Sequence, residues 1–244
     1  YKDYRNGTLL REEYPAKKGL VSCDKNKFMR LWFEPKFSSI SFKSTTKDGV
    51  ENNKLYVPMN KGGSSRNLLG NIEYVIKFDD ENYKLIQNNH GHRSPEYYFS
   101  TAITWSAVTS GKPSFRYSGG GFVGGSGGYS IFLKNDNNSF VLLGLLNSKV
   151  TTFILNALNP TINIQAGDVQ RIPILPDLNP FNIETRVKQS ISISENDWNS
   201  YETAWNYSKH PFIQHIDEHN RNWTVEAAYE SWADEAQTRF DQLK

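Results

Sequence analysis

Five residues near the end of the chain have the types and spacing of a metal site. His215-Ile216-Asp217-Glu218-His219 fits the H-x-x-E-H pattern of inverted zinc peptidases, in which two histidines and a glutamate share one helical face. Only 25 residues follow it, too few to supply a separate helix with a third ligand, and His210-Pro211 breaks the chain just before it. A surface helix with ordinary histidines is the expectation. His90 and His92 flank Gly91 in a polar turn, without the cysteine or carboxylate spacing of a metal site. Nucleophilic chemistry fares no better: no Gly-x-Ser-x-Gly elbow occurs, and Cys23 lies in a charged stretch with no neighbouring histidine. Asp79 and Asp80 read as solvated charge in a polar turn. The chain carries no self-sufficient active site.

The run from Gly119 to Gly128, GGGFVGGSGG, is the other candidate, because glycine-rich loops bring backbone amides close to phosphates. No Gly-Lys-Ser/Thr follows and the next segment, YSIFLK, has the β-rich character of a strand, so the P-loop and dinucleotide fingerprints both fail. Two readings stay open: a flexible connection between strands, or a loop that approaches a nucleic-acid backbone or base edge, with Arg116 just before it and Lys112 nearby.

The elements that would hold such a loop are strand-like as far as about Lys134. LYVP (55–58), IEYVIKF (72–78), EYYFSTAITWSAVTS (96–110), SFRYS and YSIFLK are rich in β-branched and aromatic residues and are separated by Gly, Asn, Asp and Pro. After KNDNNS, the apolar run FVLLGLLNSKVTTFILNAL predicts a helix or a closely spaced helix pair, capped by Asn138 or Ser139 and stopped by Pro160. Seven interruptions, from Gly144 to Asn156, make it a poor bilayer span. TINIQAGDVQRIPILP then reads as extended chain turning at Gly167. From about 181 onward the pattern predicts one helix, a linker, a second helix beginning near Ser194, and a last helix capped by Thr224. In that last helix Val225, Tyr229, Trp232, Ala236, Phe240 and Leu243 form one apolar stripe, fit either for the core or for docking on another domain. The expected fold class is α+β: a mixed or antiparallel sheet domain over 1–180 with a central helix or helix pair, then an acidic helical segment over 181–244.

Composition bounds the function classes. The 244 residues are 37% hydrophobic and 14% aromatic, enough for a sizeable core. Trp32, Trp105 and Trp205 are expected inside it. A single cysteine forbids an intrachain disulfide and points to a reducing cytoplasm, which makes the sequons at Asn6, Asn137, Asn206 and Asn222 accidental. The polar start without Met suggests a piece of a longer protein. Net charge is only +2, but residues 1–194 hold 24 Lys and Arg against 16 Asp and Glu, while residues 195–244 hold 4 against 10. A polyanion is expected to meet the first part and avoid the second.

Several strings, in order, resemble the region after the catalytic domain in the PglX-type adenine-specific DNA methyltransferases of BREX phage-defence systems. GLVSCDKNKFMRLW (19–32) is similar to that family's G-L-x-T-G-D-N-x-x-F-x-R-x-W run, with Cys23 where the family has Gly. NKGG (60–63), GNIEYVI (70–76), ITWS (103–106), SFRY (114–117), LLGLLNSKV (142–150), LNPTINIQAGDVQRIPI (158–174) and ISENDWNSYETAW (193–205) follow, over about 220 residues. LNSK with a later IPI also occurs in other restriction and modification proteins; order and spacing carry the likeness.

The resemblance implies a parent enzyme that uses S-adenosylmethionine, yet this chain has neither a D-x-F/A-x-G-x-G loop nor an N-P-P-[YFW] motif. Asn159-Pro160-Thr161 lacks the second proline and the aromatic that would stack on an extruded adenine. Cofactor and catalysis are therefore expected in a separate methyltransferase domain, and this chain is expected to be inactive alone. The resemblance further implies double-stranded DNA as partner, with that domain and possible defence-system subunits, and no membrane. Phosphate contacts position such a module while a few polar side chains reach base edges. Lys61, Arg66, Arg93, Lys112 and Arg116 are the candidates for backbone or guanine, Ser106 and Gln165 for base edges, and Gly124 and Gly125 for close approach. A protein-interaction or carbohydrate-binding domain, which the aromatic content also permits, is the alternative.

Overall fold

Three short sheets and the helices packed on them make up the described residues, 7–133, 139–174, 180–215 and 223–243, of this computed structural model. The chain runs β1 (Thr8–Leu9), α1 (Leu10–Glu13), β2 (Ala16–Lys18), α2 (Lys25–Phe28), β3 (Met29–Leu31), β4 (Tyr56–Asn60), β5 (Tyr74–Lys77) and α3 (Asp80–Asn88). There follow β6 (Ala102–Ser106), β7 (Phe115–Ser118), β8 (Val123–Gly124) and β9 (Gly128–Phe132). Then come α4 (Ser139–Leu146), α5 (Lys149–Leu158), α6 (Ala166–Val169), β10 (Pro173–Ile174), α7 (Pro180–Asn199), α8 (Pro211–Gln214) and α9 (Val225–Gln242). The class is α+β, as expected.

The first sheet, β2-β9-β6-β7, is antiparallel throughout, with Ile103 opposite Ile131 and Trp105 between Phe115 and Tyr129. Because side chains alternate along a strand, Ile103, Trp105, Phe115 and Ile131 share one face. That face buries Leu142, Leu143 and Leu146 of α4, with Leu155, Val169 and Ile172. The opposite face carries Thr104, Ser106, Arg116, Ser118 and Ser130, all buried as well. It meets the second sheet, β3-β5-β4-β8, through short polar contacts such as Asn60 Nδ2 donating to Ser118 Oγ at 2.8 Å. The second sheet has its own core of Phe28, Val57, Met59, Ile76, Phe78, Ile86 and Phe99. A two-stranded ribbon pairs β1 with β10, Thr8 opposite Ile174.

The apolar run after residue 138 is indeed a helix pair. Helix α4 is apolar on every side and is buried on every side: the sheet lies on one flank and Ile183, Val187 and Ile191 of α7 pack on the same core. Gly144 permits that approach, since a Cβ there would stand 2.9 Å from Val187 Cγ2. Ser148 starts α5 by accepting from the Thr151 N–H at 3.1 Å, and the two helices are bent by 62°. Among the described residues no single helix is long and apolar enough to cross a membrane.

Several expectations are corrected. Helix α7 is continuous from Pro180 to Asn199 and does not break before Ser194; Ser194 turns its hydroxyl back to the Ser190 carbonyl at 2.9 Å, within the helix. The strand expected over 96–110 is only Ala102–Ser106, preceded by a 3-10 turn at Pro95–Tyr97. Gly167 lies in α6, not in an extended turn, because Asp168 accepts from the Gln165 N–H at 2.9 Å and starts a helical turn. Asp79 and Asp80 open α3, with Asp80 paired to Lys47 at 2.5 Å. Thr224 does cap α9, its hydroxyl accepting from Ala227 N at 3.1 Å. The stripe on α9 is only partly covered: Trp232 packs on Phe212, while Val225, Tyr229, Phe240 and Leu243 remain largely exposed. Trp105 is fully buried, but Trp32 and Trp205 are half-buried in an aromatic cluster with Phe37, Phe42 and Phe122.

Candidate nucleic-acid interface

Four loops converge at the end of the first sheet where β6 finishes and β7 and β9 begin. Ser65 Oγ donates to the Lys112 carbonyl at 3.1 Å, tying loop 60–67 to loop 106–113. Gly125 N donates to the Asn60 carbonyl at 2.7 Å and Ala107 N to the Gly127 carbonyl at 3.1 Å, which brings in the glycine loop. Thr109 N bonds the Ile162 carbonyl and Ile164 N the Ala107 carbonyl, both at 2.9 Å, which adds loop 159–165. Across 60–67, 106–113, 124–128 and 159–165 the sequence has three cations, Lys61, Arg66 and Lys112, and no carboxylate.

The glycine run is not the flexible connection that one reading of the sequence allowed. A Cβ on Gly19 would lie 2.1 Å from the Gly124 carbonyl carbon, and one on Gly62 2.5 Å from the Gly127 oxygen. One on Gly125 would meet Met59 Cε at 2.6 Å and the Asn60 oxygen at 3.0 Å. These glycines let three backbones pack against one another, β8 running parallel to β4 beside them. Gly119, by contrast, has nothing within 4 Å of an added Cβ.

The candidate residues separate by burial. Lys112 and Gln165 are exposed. Lys61 is half-buried and lies over the Tyr74 ring, its ammonium 3.9 Å from the centroid, a contact that holds the side chain in place. Arg66 leans on Trp198, 5.1 Å from the ring centroid, and faces Asp197 at 3.7 Å, so part of its charge is already balanced. Arg93 is exposed on the loop after α3, beside His92, and belongs to none of the four loop segments. Gly125 is buried and Gly124 half-buried.

Arg116 and Ser106 are in a different situation from the one their types suggested. Strand alternation turns Arg116 away from the Phe115 face and into the layer between the sheets, where it is 2% exposed. Its guanidinium donates to Ser106 Oγ at 3.3 Å and to Ser114 Oγ and the Arg66 carbonyl at 3.4 Å, and burial pulls its pKa down to about 10. Ser106 in turn donates to the Gly63 carbonyl at 2.9 Å and accepts from the Gly63 N–H at 3.0 Å. In this geometry neither side chain reaches the surface; together they brace the Gly62–Gly63 turn, whose φ angles of 91° and 146° suit glycine.

Asn147 was not singled out by residue type, yet it holds the site's base. Its amide donates to the Phe115 carbonyl at 3.0 Å and accepts from the Phe115 N–H at 3.1 Å, standing in for a strand partner at the mouth of β7. The available signal was the string LNSK, in which Ser148 ends one helix and starts another. Val108 and Ile162 are exposed on the same loops and carry no sequence signal, since lone apolar residues in loops form no motif.

Of the H-x-x-E-H string, His215 is described: Nδ1 lies 3.0 Å from Ser231 Oγ and Nε2 3.7 Å from Glu235. Residues 216–219 lie outside the described residues. No group of three His, Cys, Asp or Glu side chains is placed to hold a metal ion among those described.

No protein-family model matches the chain. Among curated proteins, an adenine-specific methyltransferase, PglX, of Lacticaseibacillus casei (strain Zhang) is 37% identical over 254 residues, covering all of this chain and 20% of its own length. An adenine-specific methyltransferase, BrxX, of Escherichia coli O9:H4 (strain HS) is 33% identical over 190 residues, 77% of this chain and 15% of its own length. The chain thus spans about a fifth or less of the length of these relatives.

Proposed function

Since the chain is homologous to a segment of the PglX and BrxX adenine-specific methyltransferases, we propose that it is a DNA target-recognition module of such an enzyme. The observation that carries this reading is the cluster of four mutually bonded loops that holds three cations and no carboxylate. Loops tied together by backbone bonds, with Lys61 and Lys112 on them and Asp197 drawn to Arg66 alone among their cations, suit a duplex, whose phosphates position the protein while exposed polar groups meet base edges. Lys61 and Lys112 serve the phosphates, Gln165 a base edge, and Arg116 and Ser106 hold the Gly62–Gly63 turn behind them. S-adenosylmethionine and the catalytic groups belong to another part of the enzyme. That part, and other subunits of a phage-defence system, are the protein partners, in the cytoplasm.

The test is the salt dependence of duplex binding. The affinity of the chain for duplex DNA falls steeply between low and physiological salt through counterion release. Lys61→Ala and Lys112→Ala each reduce the slope of log K against log salt by about one unit, with unchanged thermal stability. A flat response to salt in the unaltered chain, or no binding to any duplex at low salt, rules the reading out.

A further inference from the structure

Two exposed branched side chains sit among the cations of the loop cluster. Val108 is 57% exposed and Ile162 61%, and single exposed apolar residues need no explanation by themselves. Their setting is what distinguishes them. Their loops are joined by the Val108–Asn163 antiparallel bridge and by the backbone bonds from Thr109 to Ile162 and from Ile164 to Ala107. Buried Trp105 donates its indole N–H to the Ile164 carbonyl at 3.1 Å, pinning the second loop to the sheet. Asn159 stiffens the same loop: its amide donates to the Asn163 carbonyl at 2.8 Å and to Asp168 at 2.7 Å, and its oxygen accepts from Thr161 N at 3.0 Å. Val and Ile are themselves stiff at χ1. The result is two branched apolar groups whose backbones are fixed on the loops that carry the cations, Val108 opposite Asn163 and Ile162 flanking that bridge.

Resting on the reading of the chain as a DNA-recognition module, we propose that Val108 and Ile162 read thymine by its 5-methyl group in the major groove. That methyl is the apolar group a base pair presents there, and branched side chains contact it without needing a hydrogen-bond partner. A site containing a target adenine always holds a thymine opposite it. The loops therefore add to the charge contacts a discrimination that hydrogen bonds at Gln165 do not supply.

The experiment selects duplexes from a random-sequence pool with the unaltered chain at physiological salt, then resynthesises the enriched sequences with deoxyuridine in place of thymidine. Loss of the methyl weakens binding by about fourfold for each methyl covered, the ratio that corresponds to the transfer of one methyl group. The double variant Val108→Ser, Ile162→Ser binds the thymine duplexes as weakly as the unaltered chain binds the uracil ones, and no longer distinguishes the two. Equal binding of thymine and uracil duplexes by the unaltered chain overturns the inference while leaving DNA recognition intact. So does a thymine preference that persists in the double variant, which would place the sensing of the methyl elsewhere. Failure to enrich any duplex removes the recognition reading itself, and the inference with it.

Discussion

Cys23 has φ 61°, in the left-handed region that side chains other than glycine occupy at a cost. The turn keeps its shape because Asp24, next in the chain, accepts from the Lys27 N–H at 3.0 Å and starts α2. The run that this segment resembles has Gly at the same position, and the backbone angle says why. Cys23→Gly is therefore expected to leave stability unchanged or raise it by up to about 1 kcal/mol, the greater freedom of glycine in the unfolded chain offsetting part of the relief. Cys23→Val is expected to lower it by about 1 kcal/mol or more, since a branched side chain tolerates this region poorly. Urea midpoints of the two variants check both. His92 is a second local case: its ring stacks on Tyr83 and bonds the Tyr98 hydroxyl at 3.0 Å, and burial lowers its pKa. A histidine whose folded pKa lies below its unfolded value takes up a proton more readily when unfolded. Its contribution is whole above about pH 6.5 and is lost as pH falls from there through the folded pKa. The stability of His92→Phe is expected to vary less with pH over that range, as seen by thermal melts in a pH series.

At the scale of elements, the contact among β8, β4 and the segment before Leu20 depends on absent side chains. Gly19→Ala drives a Cβ into the Gly124 backbone and is expected to cost about 1–3 kcal/mol or to prevent folding. Gly119→Ala, in open space, is expected to change the melting temperature little. If the two melt alike, the packing described for the loop is wrong. Which elements were legible in advance follows from what their patterns encode. The helix pair was, through its length, apolar density and caps, and strands β6, β7 and β9 were, through β-branched and aromatic residues bounded by Gly, Asn, Asp and Pro. Alternation also says that Arg116 lies opposite Phe115. It does not say what lies beyond that opposite face, since Thr104, Ser106, Ser118 and Ser130 look like a solvated surface and in fact meet a second sheet. The candidate site was half legible for the same reason: Lys61, Lys112 and Gln165 fell in one cluster, while Arg93 did not, and the loop-to-loop bonds that gather them are long-range backbone contacts with no sequence signature.

For the whole molecule, charge and fold divide the labour. The acidic last helix has Glu226, Glu230, Asp234 and Glu235 along it and carries no residue of the four-loop cluster. Glu230→Lys is accordingly expected to leave duplex affinity within about twofold, apart from the small general gain from added positive charge; a tenfold change, by fluorescence anisotropy at fixed salt, would put the DNA face elsewhere. The ribbon of Thr8–Leu9 with Pro173–Ile174 has a different kind of consequence. Antiparallel partners sit about 5 Å apart, so the stretch bearing all four loops leaves the rest of the chain and returns to it at a single point. Such a stretch behaves as a cassette: a relative's version can be spliced in at those two strands without moving whatever is joined to either end. The graft must also match the α7 side chains Ile183, Val187 and Ile191 that lie against α4, or carry them along. On the proposed reading of the chain as a recognition module, a lineage under pressure to change the sequence it recognises gains a route to do so by recombination at one junction in space, while the remainder of the polypeptide stays as it was.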